Sequence, residues 1–249
     1  MIIYRSPKEI EKIRKSCELV AQTVQHLLPI VEPGVSTGAL DREAEAYIRR
    51  GGGVPAFKGY RGFPATLCTS INAEVVHGIP SKTRKLKDGD IIGIDCGAII
   101  DGYYGDHAMT IAVGNISAAG QTLLDITRKA LEIGIAQAKV GNRLSDISHA
   151  IQSYGESHGY GVVKAFVGHG IGTALHEEPQ VPNFGPPGRG PRLREGMVLA
   201  LEPMLNMGTA DVSILSDNWT VVTADGELSA HFEHTVAVSE NGGIVLSQL

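Results

Sequence analysis

The sequence predicts an α+β protein with an antiparallel sheet at its core. Three observations support this fold class: long segments with apolar residues at every third or fourth position, an Asp-Gly pair between two apolar runs, and a second half rich in short apolar runs. Long helices beside a strand-rich core are typical of α+β proteins. Because no tandem repeat or low-complexity segment interrupts the chain, we expect residues 1–249 to form a single domain.

The composition is that of an ordinary globular protein, with 43% hydrophobic and 20% charged residues. The formal net charge of -5 argues against bulk electrostatic binding of nucleic acid. Three cysteines without a CxxC spacing fit a reducing compartment better than a disulfide framework. The first residues become charged within a few positions, which is not typical of a signal peptide. We therefore expect a cytoplasmic protein without membrane or direct nucleic-acid partners.

Helices are expected on both sides of the Asp-Gly pair. A capping box at residues 6–9, with proline at the first helical position, begins the first helix, and Pro29 ends it. Ser36 or Thr37 caps a second helix, which the glycines at positions 51–53 end. The remaining predictions for these segments are helices at residues 117–138 and 145–159 and a loop at residues 54–64.

Strands are predicted where short apolar runs are bounded by Gly, Pro, Asn or Asp. One of them leads into Gly168-His169-Gly170, which we expect to be a loop whose missing side chains let a ligand approach the imidazole closely. The predicted strands outside the hairpin span residues 65–71, 162–167, 197–205, 211–215, 219–223 and 230–238.

The central feature is a β-hairpin whose turn is Asp101-Gly102. With a two-residue turn, Gly97 pairs with Asp106. Because side chains alternate between the two faces of a strand, Asp95 and Asp106 lie on one face as diagonal neighbours. Two ionised carboxylates side by side repel each other and require a shared proton or a cation. On the hairpin alone, two solvated aspartates beside a turn explain the pattern equally well.

Three further polar residues are candidates: two carboxylates among apolar strand residues, where charges are uncommon, and a histidine in the glycine-flanked loop. They are Glu202 at the end of one run, Glu233 inside another, and His169 between two glycines. Together with Asp95 and Asp106 they form an oxygen-rich set that can hold two divalent ions and suits Mn, Fe or Co better than a structural zinc. Each residue alone is more simply explained as a paired carboxylate or a hydrogen-bonded core histidine. Their joint occurrence in strands favours the metal site.

Several other catalytic motifs are absent. His176-Glu177 does not begin an HExxH motif, because position 180 is Gln180 and Pro179 interrupts the segment. Residues 168–172 do not continue to the dinucleotide-binding fingerprint and contain a histidine. Neither a GxSxG motif nor a P-loop occurs.

A series of separated motifs covers nearly the whole chain. They are Ser70-Ile-Asn-Ala-Glu-Val-Val-His77-Gly-Ile-Pro, Gly93-Ile-Asp95 with Gly105-Asp106, Gly168-His169-Gly170-Ile171-Gly172 with His176-Glu-Glu-Pro-Gln180, Leu201-Glu202-Pro203-Met204, Asp217-Asn-Trp219-Thr, and Ser229-Ala-His-Phe-Glu233-His234-Thr235. In this order the chain resembles the type I methionine aminopeptidases, in their short bacterial form, of the pita-bread superfamily of M24 metallopeptidases. The resemblance implies the pita-bread fold, an antiparallel sheet flanked by helix pairs with pseudo-two-fold symmetry.

The resemblance also implies a role for each candidate site residue. Two divalent metal ions, of Co, Mn or Fe(II), would be held by Asp95, Asp106, His169, Glu202 and Glu233, with Asp106 and Glu233 bridging. Glu202 would be the general base, while His176 and His77 would contact the substrate around the scissile peptide. The pocket for the methionine side chain maps onto Phe57, Tyr60, Phe63, Cys68, His77, Leu175 and Trp219. This soft, mostly apolar and aromatic set fits a thioether.

The implied activity is removal of the N-terminal methionine from nascent proteins whose second residue is small, by a hydroxide that bridges the two metal ions. The implied setting is a single catalytic domain, monomeric in the cytoplasm, with transient ribosome association. Two alternatives stay open. One is another pita-bread peptidase that cleaves before proline, like aminopeptidase P or prolidase, although such enzymes usually carry a sizeable N-terminal domain. The other is a non-catalytic pita-bread binding protein, although such relatives generally lose ligands.

Overall fold

The computed structural model describes residues 1–249 as four α-helices and fifteen β-strands. The helices are α1 (Pro7–Leu27), α2 (Thr37–Arg50), α3 (Ala118–Gln137) and α4 (Leu144–Ser157). The strands are β1 (Val54–Pro55), β2 (Leu67–Ile71), β3 (Glu74–Val76), β4 (Ile91–Ile100), β5 (Tyr103–Ala112), β6 (Gly161–Val162), β7 (Gly168–Gly170), β8 (Glu177–Val181), β9 (Val198–Leu201), β10 (Met204–Asn206), β11 (Val212–Ile214), β12 (Val221–Thr223), β13 (Ser229–His231), β14 (Glu233–Ala237) and β15 (Ile244–Val245).

The helices begin and end close to their predicted positions. At the start of α1 the Glu9 N–H donates to the Ser6 hydroxyl and the Ser6 N–H donates to the Glu9 carboxylate, so the predicted capping box is present. Ser36 is the N-cap residue of α2, although its side chain makes no capping hydrogen bond. Helix α4 begins one residue earlier than predicted, because the Arg143 N–H donates to the Asp146 carboxylate and closes the first turn.

Nine strands form the main sheet, and its pairings are antiparallel, which confirms the predicted sheet type. The central order is β4-β5-β14-β9-β7-β8, with β1 and β2 paired to β4 and β15 paired to β14. Two smaller sheets have the orders β13-β10-β6 and β11-β12-β3. The β4–β5 hairpin has the predicted register, in which Gly97 pairs with Asp106. Both turn residues, Asp101 and Gly102, have positive φ angles, as a tight hairpin turn requires.

Two strands that the sequence predicted as continuous are each divided. Glu202-Pro203 separates β9 from β10, and Phe232 separates β13 from β14. Proline has no N–H to donate to a ladder, which explains the first break. At both breaks the chain passes between the main sheet and the small sheet that contains β10 and β13. Glu202 and Glu233 therefore lie side by side where two main-sheet strands end.

The loop predicted around His169 is wrong, because Gly168–Gly170 is strand β7, paired on both sides. A β carbon at Gly168 would clash with the Ala200 carbonyl, and one at Gly170 would clash with the Glu178 carbonyl. The two glycines therefore admit the neighbouring strands rather than a ligand.

Three short segments also differ from the prediction. Of the strand predicted at residues 162–167, only the start is extended, as β6. The predicted loop at residues 54–64 contains β1, which pairs with β4. Strand β15, at the end of the chain, was not predicted. Strands β1 and β6 depend on pairing with the distant strands β4 and β10, which local sequence patterns do not contain, whereas β15 pairs with β14, the strand directly before it.

The helices form two pairs that cover different parts of the sheets. Helices α1 and α2 pack together, with α1 against β4 and β5 and α2 against β1 and β2, while α3 packs on α4 and against β10, β13 and β14. Each pair closes its own apolar cluster, one centred on Ile92 and Ile94 and the other on Leu199 and Leu201. The predicted flanking of an antiparallel sheet by helix pairs is thereby confirmed. None of the four helices has the length and apolar content needed to cross a membrane.

Candidate metal centre and adjoining cavity

The five predicted ligands lie on strands that are neighbours in the main sheet. Asp95 is on β4, Asp106 on β5, Glu233 at the start of β14 and His169 on β7, while Glu202 directly follows β9. Because these strands are adjacent in the order β4-β5-β14-β9-β7, one side chain from each reaches the same region of the sheet. Residues that are far apart in the chain are thus brought together by strand order alone.

The register of the central strands aligns three of the carboxylates. Asp95 pairs with Ala108 from one side, and Glu233 pairs with Ala108 from the other. Asp106 lies two positions from Ala108 and therefore on the same face of β5. Three carboxylates thus share one small patch, as the hairpin register predicted for the first two.

The ligand atoms are close enough to surround a cation. Donor atoms of Asp106, His169 and Glu233 lie within 4.8 Å of one another. His169 Nε2 is 3.6 Å from Glu202 Oε1 and 4.0 Å from Asp106 Oδ2. Asp106, His169 and Glu233 are buried, and Asp95 and Glu202 are half-buried. Atoms that each bind one ion at about 2.0–2.6 Å lie at such mutual separations.

Burial and mutual repulsion raise the free energy of the four carboxyl groups in their ionised form. Burial raises the pKa of Asp95 to about 7. Burial, followed by the charges of Glu233 and Asp95, raises the pKa of Asp106 well above its usual range. For Glu202 and Glu233, too, burial is the main cause of a raised pKa and neighbouring carboxylates are the next. Such a group of anions is stable when a cation neutralises it.

The remaining atoms of the group fit a divalent cation. His169 Nδ1 donates to the Gly170 carbonyl at 2.9 Å, which leaves the Nε2 lone pair toward the carboxylates. Burial, followed by the nearby His176, lowers the pKa of His169 to about 3, so the ring is neutral at neutral pH. Asp95 Oδ1 and Glu233 Oε1 are buried without a hydrogen-bond partner. Free carboxylate oxygens beside an imidazole lone pair form a hard ligand set that suits divalent ions.

A cavity of about 290 Å³ extends from the five ligands. The residues predicted to contact the substrate all line it: Phe57, Tyr60, Phe63, Cys68, His77, Leu175, His176 and Trp219. Phe63 and Trp219 meet edge to face, with ring centroids 5.1 Å apart. The cavity therefore has a charged end, formed by the five ligands and called the inner end, and an aromatic, apolar end, called the outer end.

Local structure brings one pocket residue close to the ligands. A β carbon at Gly97 would lie 2.6 Å from the Phe57 ring, so only glycine admits the ring at this position. Gly97 is the cross-strand partner of Asp106. Gly97, whose pairing the hairpin register predicted, thus leaves room for the Phe57 ring of the pocket wall beside the strands that carry the metal ligands.

His77 has an uncommon backbone conformation for a residue with a side chain. Its φ angle is 61°, in the left-handed region. The half-buried ring stands edge-on to Phe166 and Trp219, with centroid distances of 5.4 and 6.3 Å. Burial, followed by the charge of His176, lowers the pKa of His77 to about 4. Such a residue in a cavity is a candidate for function, because the surrounding structure has to maintain the strain.

His176 lies between the ligands and the outer pocket. Its Nδ1 is 2.8 Å from the Tyr60 hydroxyl, and its ring centroid is 4.3 Å from that of His169. Desolvation, followed by the charge of Arg61, lowers the pKa of His176. A neutral imidazole held in this way can donate one hydrogen bond into the cavity.

Three neighbours of the site were not predicted from the sequence. Arg61 and Phe166 line the cavity from irregular segments that show no period. His231 is buried, and its Nε2 lies 3.8 Å from Glu202 Oε2 without a hydrogen-bond partner. The break at Phe232 separates His231 from the strand that carries Glu233, and the ring lies beside Glu202. The spacing of histidine and glutamate was the available signal for this contact.

Comparison with known proteins agrees with this geometry. The model of metallopeptidase family M24 matches residues 11–240. The methionine aminopeptidase of Clostridium acetobutylicum is 54% identical over 247 residues, which cover 99% of both chains. The chain belongs to the methionine aminopeptidases of metallopeptidase family M24.

Solved structures show the same relation. The crystal structure of methionine aminopeptidase from Thermotoga maritima superposes with a TM-score of 0.98 at 43% identity, covering 100% of each chain. The prolidase from Pyrococcus furiosus has a TM-score of 0.80 at 24% identity, covering 99% of this chain and 66% of the prolidase. The second match shows a shared fold alone. Together the matches confirm the predicted pita-bread fold and family, and membership in a metallopeptidase family implies the use of divalent metal ions.

Proposed function

We propose that the protein removes the N-terminal methionine from polypeptides whose second residue is small. The observation that supports this proposal is the cavity, in which five ligand side chains at one end face a pocket of aromatic and apolar residues at the other. An amino-terminal residue fits this arrangement, because its free amine can lie beside the ligands while its side chain enters the pocket. The 54% identity to a methionine aminopeptidase favours the same assignment.

Two divalent ions, Co, Mn or Fe(II), would be held by Asp95, Asp106, His169, Glu202 and Glu233, with Asp106 and Glu233 shared between them. The unpartnered oxygens of Asp95 and Glu233 and the raised carboxyl pKa values support this assignment. When bound, the ions supply Lewis acidity, which polarises the peptide carbonyl and makes water a better nucleophile.

Glu202 is the general base in this proposal. Its carboxylate faces His169 from the end of β9, and burial with the charges of Asp95 and Asp106 raises its pKa. A carboxylate in this position would take up the proton of the attacking water and return it to the leaving amine. The Asn183 side chain donates to the Glu202 carbonyl at 3.0 Å and so fixes the backbone at this point.

The two histidines act on the substrate rather than on the metals. His176, held by Tyr60, donates a hydrogen bond to the oxygen on which negative charge develops. His77, held between Phe166 and Trp219, binds near the scissile amide. Both rings have lowered pKa values and are therefore neutral donors near pH 7.

The methionine side chain enters the outer end of the cavity. This end of the cavity is lined by Phe57, Tyr60, Phe63, Cys68, Leu175 and Trp219. An unbranched, polarizable thioether packs favourably against aromatic rings, with contacts of about 0.3–1.5 kcal/mol each. Charged side chains would lose hydration in this pocket without gaining a partner.

We further propose that residues 1–249 act as a single catalytic domain, monomeric in the cytoplasm, on nascent chains and with transient ribosome association. The three cysteines, Cys17, Cys68 and Cys96, are free and buried, as a reducing compartment favours.

The decisive assay uses protein that has been stripped with a chelator and reloaded with Co, Mn or Fe(II). We expect faster hydrolysis of Met-Ala-Ser than of Met-Pro peptides and no hydrolysis of Ala-Pro peptides, with no activity before reloading. Preferential cleavage before proline would replace the proposal with a prolidase-like activity. Metal binding without hydrolysis of any of the peptides would indicate a binding protein instead.

A further inference from the structure

The segment at residues 171–176 connects β7 to β8 without regular secondary structure, although it carries two side chains of the cavity. Leu175 is 2% exposed and packs in the same apolar cluster as Phe57 and Phe63. His176, the next residue, is held at its ring by Tyr60. An irregular segment that presents a catalytic side chain needs a separate means of fixing its backbone.

Glu177, the first residue of β8, folds back onto this segment. Its Oε1 accepts hydrogen bonds from the N–H groups of Thr173 and Ala174, at 2.8 and 3.1 Å, and from the Thr173 hydroxyl at 3.2 Å. One carboxylate thus holds the backbone two and three residues before His176.

Arg5 from the segment before α1 holds that carboxylate in place. Its Nη2 lies 2.5 Å from Glu177 Oε1, 2.6 Å from Glu177 Oε2 and 3.3 Å from the Thr173 hydroxyl. The side chains of Arg5 and Glu177 are only 5% and 9% exposed. The guanidinium lies so close to Gly172 that a β carbon there would clash with it.

The backbone of Arg5 is fixed as well. Its N–H donates to the Gly196 carbonyl at 2.7 Å, and a β carbon at Gly196 would lie 2.8 Å from the Arg5 carbonyl oxygen. The Arg5 backbone therefore has a defined position, from which its side chain reaches the segment at residues 171–176.

Stability alone does not account for this pair. Burying two charges costs desolvation energy, and well-packed apolar residues often serve a fold equally well. Arg5 Nε is buried without a partner, which adds to the cost. We propose that Arg5 and Glu177 are positioning residues that hold the segment at residues 171–176 and thereby place His176 against the substrate; this rests on the proposed role of His176.

The test is a double-mutant cycle on the metal-loaded enzyme with Met-Ala-Ser as substrate. Arg5→Met should lower kcat by about 10- to 100-fold, because small displacements of a catalytic group have effects of this size. In the His176→Ala background the same change should have an effect within about twofold, because the group it positions is absent. Metal content should be unchanged in all variants.

Arg14→Met is the matched control, since Arg14 forms an exposed pair with Glu11 at 3.3 Å on α1. We expect this control to leave kcat unchanged in both backgrounds. If Arg5→Met does not fold, Arg5→Lys takes its place in the cycle, because lysine keeps the charge but does not reproduce the planar guanidinium contacts.

Equal losses from Arg5→Met in both backgrounds would overturn the inference and indicate a general structural role. Unchanged kcat in the wild-type background would overturn it as well. If His176→Ala itself leaves kcat unchanged, the proposed role of His176 fails, which is distinguishable from failure of the positioning pair.

Discussion

The two ends of the cavity are built in different ways. At the inner end, Asp95, Asp106, His169 and Glu233 stand on paired strands of one sheet, and Glu202 directly follows another strand. At the outer end, the lining residues come mainly from irregular segments, such as those that carry Phe57, Leu175 and Trp219. Strand pairing positions side chains accurately without help, whereas irregular segments need added contacts such as the Arg5–Glu177 pair.

This difference predicts how each end responds to substitution. A change at the inner end removes a ligand from a rigid set and should affect metal binding and catalysis together. A change at the outer end should leave metal content intact and alter kcat or KM alone.

Asp106→Asn should lower kcat/KM on the order of 1000-fold or more, because it removes a charged ligand that both metal ions would share. Metal content after loading, measured by mass spectrometry, should fall in parallel. Asp101→Asn is the matched control in the same hairpin. Asp101 is exposed in the turn at φ 51°, a conformation that asparagine also adopts, so activity should stay at the wild-type level. Wild-type turnover of Asp106→Asn would contradict the two-metal proposal.

His176→Ala should lower kcat about 100-fold with unchanged metal content, since it removes one hydrogen-bond donor to the developing charge. The control is His149→Ala, which removes an exposed histidine of α4. Loss of metal from the His176 variant would mean that His176 belongs to the inner end instead.

The pH dependence of stability should also separate the metal-free and loaded forms. Asp95 has a pKa raised from 3.8 to about 7 in the folded protein, and Asp106, Glu202 and Glu233 are shifted in the same direction. Between the unfolded and the folded pKa of each group, the folded state binds more protons than the unfolded state. These groups therefore make the protein less stable as pH rises.

The buried histidines act in the opposite direction. His169 and His231 have pKa values lowered from 6.5 to about 3. Through these groups the stability of the protein increases as pH rises toward 6.5 and does not change further above pH 6.5. The metal-free protein should therefore lose stability from pH 6.5 to 8. Its free energy of unfolding should fall by about 1.4 kcal/mol per pH unit for each carboxyl group that is protonated in the folded state and ionised in the unfolded state. Melting temperatures across this range measure the effect. In the metal-loaded protein the slope should be absent, and a metal-free protein that gains stability over this range would contradict the account.

Trp219→Ala should have the smallest effect, a rise in KM of about tenfold with kcat nearly unchanged, because it removes one wall of the methionine pocket. Met-Ala-Ser hydrolysis measures both constants. A loss confined to kcat would show that the outer end acts in the chemical step.

Much of the inner end could be predicted from the sequence. The Asp101-Gly102 turn is a local signal, and it fixed the pairing of Gly97 with Asp106 that the structure has. Charged residues in apolar strands identified Glu202 and Glu233, because a buried strand seldom carries such groups without a partner. Those two rules named the four carboxylates that the sheet brings together, while His169 was noticed only from the glycines on either side of it.

The remaining features depend on contacts that a local pattern does not contain. The breaks at Pro203 and Phe232 depend on which sheet each strand joins, and they turn His231 toward Glu202. Arg5 and Glu177 are 172 positions apart, and neither lies in a periodic pattern that points to the other. Glycine at positions 168 and 170 was correctly noticed but wrongly explained, since the close neighbours are backbone carbonyls of adjacent strands.

A crystal structure of Mn-loaded protein, with anomalous scattering recorded at the manganese edge, tests whether the five side chains hold two ions. We predict two peaks per chain, within about 2.0–2.6 Å of oxygen or nitrogen atoms of Asp95, Asp106, His169, Glu202 and Glu233, and both in contact with Asp106 and Glu233. A single peak, or peaks away from these five side chains, would contradict it.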